Sequence, residues 1–296
     1  MGAKLRVVQR RIRSFQSTMK ITRAMELIAT SRIAKAQQRV EAARPYAELL
    51  TQAMEDVARQ TGSVAHPLLE ERPDPKAAAV LVLTSDRGLA GSYNTNVLRR
   101  AEDRIRGIKS RGLRPVLYVV GKKGQAYFRF QGQPIERTWL DVSEVPPYEA
   151  AQEIGRATIE AFADRTIDEL HVVYTDFRSM FTLRATDARF LPIAPEEVSG
   201  EGGQPHAEYE FEPAPAQILE RLLPAYVITK VFAAMLESAA SENAARRRAM
   251  KAATENAEEL IKSLTREANQ ARQAEITTEI MEIVGGAEAL KQASGE

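Results

Sequence analysis

The sequence predicts an α/β protein: a long antiparallel two-helix coiled coil, made by the chain's two ends, plus a central doubly wound, Rossmann-like α/β domain. Three observations predict it. Apolar residues recur at three- and four-residue spacing over residues 1–58 and again over 214–290. Between these stretches, short apolar runs alternate with helical patterns. At ~1.5 Å per residue the two end helices would reach roughly 85 Å and 115 Å, longer than any single core of this chain needs. Their apolar stripes are buried most simply against each other.

The first helix places Leu5, Val8, Ile12, Phe15, Met19 and Thr22 on one seam. The spacing slips at Thr22, Met25, Ala29 and Ile33, then resumes through Ala36, Val40, Ala43, Ala47, Leu50, Met54 and Val57. Such a slip changes the local winding. Pro45 removes a backbone donor and predicts a kink. Residues 59–75 hold Gly62, Pro67, Pro73 and Pro75 without a period and read as a linker.

The central domain, residues 76–195, then alternates. Strands are predicted at 77–84, 114–121 and 169–175, with an edge strand at 190–193; helices are predicted at 94–109, 122–130 and 148–164. A connecting loop at 196–213 is rich in Gly, Pro and Glu. The second long helix follows at 214–290, with a break expected at Pro224 and a tail at 291–296. Alanine dominates its middle, which favours helix and lets backbones approach closely. Ala253, Ala257, Leu260 and Leu264 keep one seam; Ile276, Ile280, Ile283, Ala287 and Leu290 keep another.

A register follows from the hairpin. If it opens near 57 and 214, partner numbers add to about 271 at equal rise. Met25 is then level with Arg246, and residues after about Gln270 project as a single helix. The apolar residues of that tip need a sleeve supplied by other proteins.

Composition excludes several chemistries. There is no cysteine, so disulfides, thiolate catalysis and Cys-based metal sites are out. His66, His171 and His206 have no ligand spacing. No apolar run approaches the roughly 20 residues of a membrane span, and the start of the chain carries no secretory signal. The net charge is +1, yet residues 1–44 carry eleven basic residues against Glu26 and Glu41. With Arg246, Arg247, Arg248 and Lys251 these predict a positive collar. A solvated face, nucleic-acid phosphates, or a ring of protein carboxylates would each satisfy it. Base-stacking aromatics are missing from it, which disfavours nucleic acid.

Residues 85–94, Ser-Asp-Arg-Gly-Leu-Ala-Gly-Ser-Tyr-Asn, follow a strand and open a helix, where a doubly wound sheet cradles phosphate. The glycine spacing fits neither nucleotide fingerprint, so a structural turn is favoured. Asp86, Glu169 and Asp176 lie near strand ends without a nucleophilic or basic partner, which argues against catalysis. No cofactor is implied.

These residues also carry a family resemblance. Lys20-Ile21-Thr22-Arg23-Ala24-Met25-Glu26-Leu27-Ile28-Ala29-Thr30-Ser31-Arg32 resembles the amino-terminal segment of the gamma subunit of F-type ATP synthases. Residues 250–257 and 276–289 resemble its carboxy-terminal signatures, and 85–94 its central turn. The resemblance spans essentially the whole chain, in order. It implies a non-catalytic central-stalk rotor that carries torque between a membrane c ring and three catalytic beta sites, coupling proton flow to ATP synthesis or hydrolysis. The implied partners are three alpha and three beta subunits, epsilon and the c ring, with no nucleic acid and no membrane contact except through that ring. By the same resemblance Arg23, Met25 and Arg246 would meet the beta lever loops, Arg272 and Gln273 the upper beta loops, and Tyr209 the c ring. The absence of a presequence and of the chloroplast cysteine insert points to the cytoplasmic face of a bacterial plasma membrane. The competing readings are a nucleotide-binding α/β enzyme with a coiled-coil partner arm, and a coiled-coil nucleic-acid scaffold.

Overall fold

Seven consecutive apolar residues make β1 (Ala77–Leu83), which is buried along its whole length and therefore needs cover on both faces. A computed structural model supplies that cover and describes residues 3–61, 66–180, 182–194, 197 and 215–293. The other elements, in chain order, are α1 (Ala3–Thr61) before β1, then α2 (Tyr93–Ser110), β2 (Arg114–Val120), α3 (Lys122–Phe130), β3 (Arg137–Trp139), α4 (Tyr148–Ala163), β4 (Glu169–Phe177), β5 (Leu183–Leu191) and α5 (Pro215–Ala293). The sheet order is β3-β2-β1-β4-β5. β1 runs parallel to β2 and β4, and β2 parallel to β3; β5 closes the far edge antiparallel to β4. The doubly wound α/β domain is thus as expected, with an antiparallel edge added.

The chain divides into two compact units, residues 29–246 and residues 1–28 with 247–296. In the first, alternate residues of β1 serve opposite layers. Ala78, Val80 and Val82 pack with Val97, Ala101, Ile105 and Ile108 of α2 and Phe128 of α3. Ala77, Ala79, Leu81 and Leu83 face Ile154 and Phe162 of α4, together with Leu219, Leu223, Val227, Val231 and Met235 of α5. Met54 and Val57 of α1 join this second layer. Its helices are close: a Cβ on Gly155 of α4 would lie 2.6 Å from Ile228 Cγ1 of α5. Between α1 and α5, Val40, Ala43 and Ala47 of α1 leave an apolar groove of about 590 Å³ against Phe232, Ala233 and Leu236 of α5. Ala43, Ala47 and Ala233 are too short to fill the space between the larger neighbours.

In the second unit α1 and α5 form an antiparallel pair. Leu5 and Val8 pack on Leu264 and Ala268, flanked by Ile12 and Phe15. Thr22 Oγ1 and Thr254 Oγ1 meet at 2.7 Å. Lys4 and Leu5 lie against Glu267, Gln270, Ala271, Ala274 and Glu275. Partner numbers therefore add to about 276, given Thr22 against Thr254. The expected sum of about 271 is corrected, because α1 continues one turn past Val57, to Thr61. Met25 is level with Lys251 rather than Arg246, and the single-helix overhang begins after Glu275 rather than Gln270.

Other expectations are corrected too. Leu260, assigned to the seam, is 45% exposed, and the buried positions nearby are Met250, Thr254, Ala257 and Leu264. α1 runs on through Pro45 and α5 through Pro224, so no break falls at Pro224. The segment read as a linker is partly built into the domain: Leu68 is buried, and its carbonyl accepts from Ile193 N at 2.8 Å. One 18-residue window of α5 within Gln217–Leu290 has a mean hydropathy of 1.4, which makes this helix long and apolar enough to cross a membrane; 56% of the window is buried inside the protein. A helix that covers a sheet is apolar for that reason alone.

Candidate functional site

In an open α/β sheet, ligands bind beyond the carboxyl ends of the strands. Here that place is taken by the chain itself. Ser85 N donates to Asn94 Oδ1 at 3.0 Å, and Asn94 Nδ2 donates to Ser85 Oγ at 2.8 Å, so the 85–94 turn is closed on itself. Leu89 and Gly91 take positive φ values of 61° and 55° to make the turn. Asp86 fills the position a phosphate would take at the start of α3: its carboxylate accepts from Lys122 N at 3.1 Å and from Ser143 N at 3.0 Å. Thr84 Oγ1 accepts from Gly124 N at 2.9 Å. A side chain at Gly121 would lie 2.3 Å from the Thr84 carbonyl oxygen, which keeps the ends of β1 and β2 in direct contact.

α5 covers the rest of the crevice. Ser238 Oγ accepts from Thr175 N at 3.3 Å, and Ser241 Oγ donates to Thr175 O at 3.2 Å. The space left between Leu83, Thr84, Tyr93, Ser143, Met235 and Ser238 is about 10 Å³. A nucleotide needs a cleft of roughly 300 Å³ or more. The nucleotide-enzyme reading therefore has no cavity to occupy at this turn. Among the described residues, no three metal-ligating side chains come together.

The charged residues are placed as follows. Arg23 is exposed and Met25 half-buried. Arg246, assigned from sequence to a positive collar, is instead 5% exposed. Its guanidinium donates to Glu242 Oε1 at 2.5 Å, to Asn243 Oδ1 at 3.4 Å and to the Gly88 carbonyl at 3.4 Å. Burial pushes the Glu242 carboxyl up, and Arg246 opposes that shift. Glu144, in the loop between β3 and α4, pairs with Arg32 of α1 and lies 3.5 Å from Arg87 of the turn. Arg248 and Lys251 are exposed, and Lys251 lies 3.9 Å from Glu255. Glu144 and Glu242 were not singled out from sequence, and Arg32 entered only as one of the basic residues of the first helix. The Glu242–Arg246 spacing of four on a helix was an available signal; the Arg32–Glu144 pairing left none, since its partners belong to separate segments.

Arg272 and Gln273 are exposed on α5. Every residue from Ile276 to Leu290 is exposed as well, with Ile283 at 72% and Leu290 at 73%. Tyr209 lies outside the described residues.

The sequence pattern of the ATP synthase family matches residues 4–290. The ATP synthase gamma chain of Acidothermus cellulolyticus is 55% identical, with all of both chains covered. The chain belongs to the ATP synthase gamma-chain family. The gamma chain of Thermobifida fusca is 51% identical over 99% of both chains. In fold, the chain is similar to a chain of the Euglena gracilis mitochondrial ATP synthase solved with its F1 and c-ring parts, at a TM-score of 0.68 and 17% identity, covering 100% of this chain and 97% of that one. It is also similar to one in the central stalk and c ring of the Tetrahymena thermophila enzyme, at a TM-score of 0.57 and 21% identity, covering 79% and 99%. As a gamma chain the protein is a non-catalytic, central-stalk rotor subunit of a membrane-associated ATP synthase complex.

Proposed function

We propose that the chain is the drive shaft between a membrane c ring and three catalytic beta subunits, with three alpha and three beta subunits, epsilon and the c ring as its direct partners. The functional division is a first shaft helix, an α/β foot and a second shaft helix, with residues 196–213 serving contact with the c ring. The c ring touches the foot through the segment that holds Tyr209. The shaft works on the cytoplasmic face of a bacterial plasma membrane. It meets the bilayer only through the ring, and it takes no nucleic acid and no cofactor.

The observation that carries this reading is the helix after Glu275. Its apolar face, Ile276, Ile280, Ile283 and Leu290, is exposed among the described residues. An unpartnered apolar helix of this length belongs in a sleeve. Arg272 and Gln273 lie just before it and would meet the upper beta loops. Arg23 and Met25 would meet the beta levers. Arg246 belongs to the same set by resemblance; because Glu242 engages its guanidinium, its contribution is to hold the 85–94 turn through Gly88.

Rotation of an asymmetric shaft changes which beta lever is contacted, and so shifts relative nucleotide affinity among the three sites; this is coupling by differential contact. The test is co-purification. The reading expects one chain for three alpha and three beta subunits, and a chain recovered without either contradicts it.

A further inference from the structure

A shaft that carries torque must be fixed to its foot against turning about its own axis, and the structure shows where α1 is held. At its lower end Met54 and Val57 are buried in the sheet's core. Above them α1 borders the apolar groove of about 590 Å³, where Ala43 and Ala47 leave space beside Phe232 and Leu236 of α5. Above the groove Ile33 and Ala29 are buried, and Arg32 reaches across to Glu144.

The hydrophobic effect is non-directional, whereas a charge-assisted contact between two named groups is directional. Among the described residues, Glu144 Oε1 faces Arg32 and is buried with no hydrogen bond from another group, and Oε2 lies 3.5 Å from Arg87. The neighbouring Ser143 is fixed at both ends: its N–H donates to Asp86 Oδ2 at 3.0 Å, and its Oγ accepts from Asp86 N at 2.8 Å. Asp86 in turn caps α3 through Lys122 N. One carboxylate therefore joins α1 to the turn after β1 and, through it, to the start of α3.

We propose that the Arg32–Glu144 pair is a rotational clamp between α1 and the α/β domain, which makes Arg32 and Glu144 positioning residues for transmission of torque. The proposal rests on the shaft reading above. It adds that the helix is keyed to the foot at one named ion pair.

The test uses the assembled, membrane-reconstituted ATP synthase and reads protons pumped per ATP hydrolysed. Arg32→Glu and Glu144→Arg should each lower that ratio by roughly threefold, the scale on which a single partly exposed charge pair acts. The exchanged pair, Arg32→Glu with Glu144→Arg, should recover at least half of the loss. Because the chain contains no cysteine, a second version uses Arg32→Cys with Glu144→Cys. Joining the two with a short bismaleimide should restore the ratio relative to the unjoined double variant. This arm also decides the matter if a charge-reversed chain fails to fold. An unchanged ratio in the single variants, or joined cysteines no better coupled than unjoined ones, overturns the clamp. Loss of pumping in the unaltered complex would instead count against the shaft reading itself.

Discussion

Thr22 and Thr254 meet hydroxyl to hydroxyl at 2.7 Å inside an otherwise apolar seam, and their pairing fixes the register of the antiparallel helices in that unit. Thr22 Oγ1 also lies 3.1 Å from Met19 O, and Thr254 Oγ1 lies 2.9 Å from Met250 O. Each hydroxyl carries one proton, so three contacts share two donors. Thr22→Val leaves Thr254 bonded to Met250 O and should cost about 0.5–1.5 kcal/mol. The double Val variant should be no less stable than the single, because its seam becomes fully apolar. Thermal melting of the chain checks this, and a double variant that loses as much again contradicts it.

Two carboxyls, the buried Glu169 and the half-buried Glu237, give opposite pH dependences. Glu169 is held down to about 2, first by its hydrogen bond with His171 at 2.9 Å and then by Arg111, against the opposing effect of burial. Its stabilisation is complete above its ordinary value of 4.5 and is lost as pH falls toward 2. Glu237 is pushed up to about 7, first by burial and then by the charge of Asp176. Its contribution is complete below 4.5 and is lost as pH rises from there to about 7. Melting temperature against pH should therefore fall less steeply toward pH 2 in Glu169→Gln and decline less between 4.5 and 7 in Glu237→Gln. Profiles parallel to the parent's reject these assignments.

Gly155→Ala reverses the usual rule for helices. Alanine ordinarily stabilises an exposed helix position by about 1 kcal/mol relative to glycine. Here the new methyl would sit 2.6 Å from Ile228 Cγ1 and 3.3 Å from Ile228 Cα, and overpacking of this kind costs about 1–3 kcal/mol. The variant should melt lower than the parent; a higher melting temperature would show that α4 can move away from α5.

Deletion of residues 276–296 should leave the melting temperature of the isolated chain unchanged, since the residues from Ile276 to Leu290 are all exposed. Recovery of the chain with alpha and beta subunits should fall by roughly tenfold or more, as loss of a buried apolar segment implies. An equal loss in both measurements would mean that the tip stabilises the chain itself.

Legibility from sequence followed physical signal. β1 is apolar at all seven positions, and α1 and α5 repeat their pattern for many turns, so these elements were readable. β3 has only three residues, too few for a period. β5 was expected only at 190–193 because its polar residues hide it: Asp187, which disqualifies a strand by composition, is held by Arg100 at 2.7 Å and Arg104 at 2.6 Å from α2. The register slipped because it depends on where the hairpin closes, and α1 continues past its last apolar seam position. Arg246 was placed on the surface because a run of three arginines reads as solvated; only the fold brings Gly88 to it. The 85–94 turn was read as structural from its glycine spacing. The reason it is closed, Asp86 at the start of α3, required the pairing of distant segments.

The most direct measurement of the central claim is rotation. A single cysteine at Phe130, which is 90% exposed at the end of α3, offers an attachment point in a chain without others. With an alpha–beta assembly fixed to glass and Phe130→Cys carrying a probe, the account predicts unidirectional rotation in three equal steps per turn while ATP is hydrolysed. A probe that stays still while the same molecules turn over ATP would contradict it.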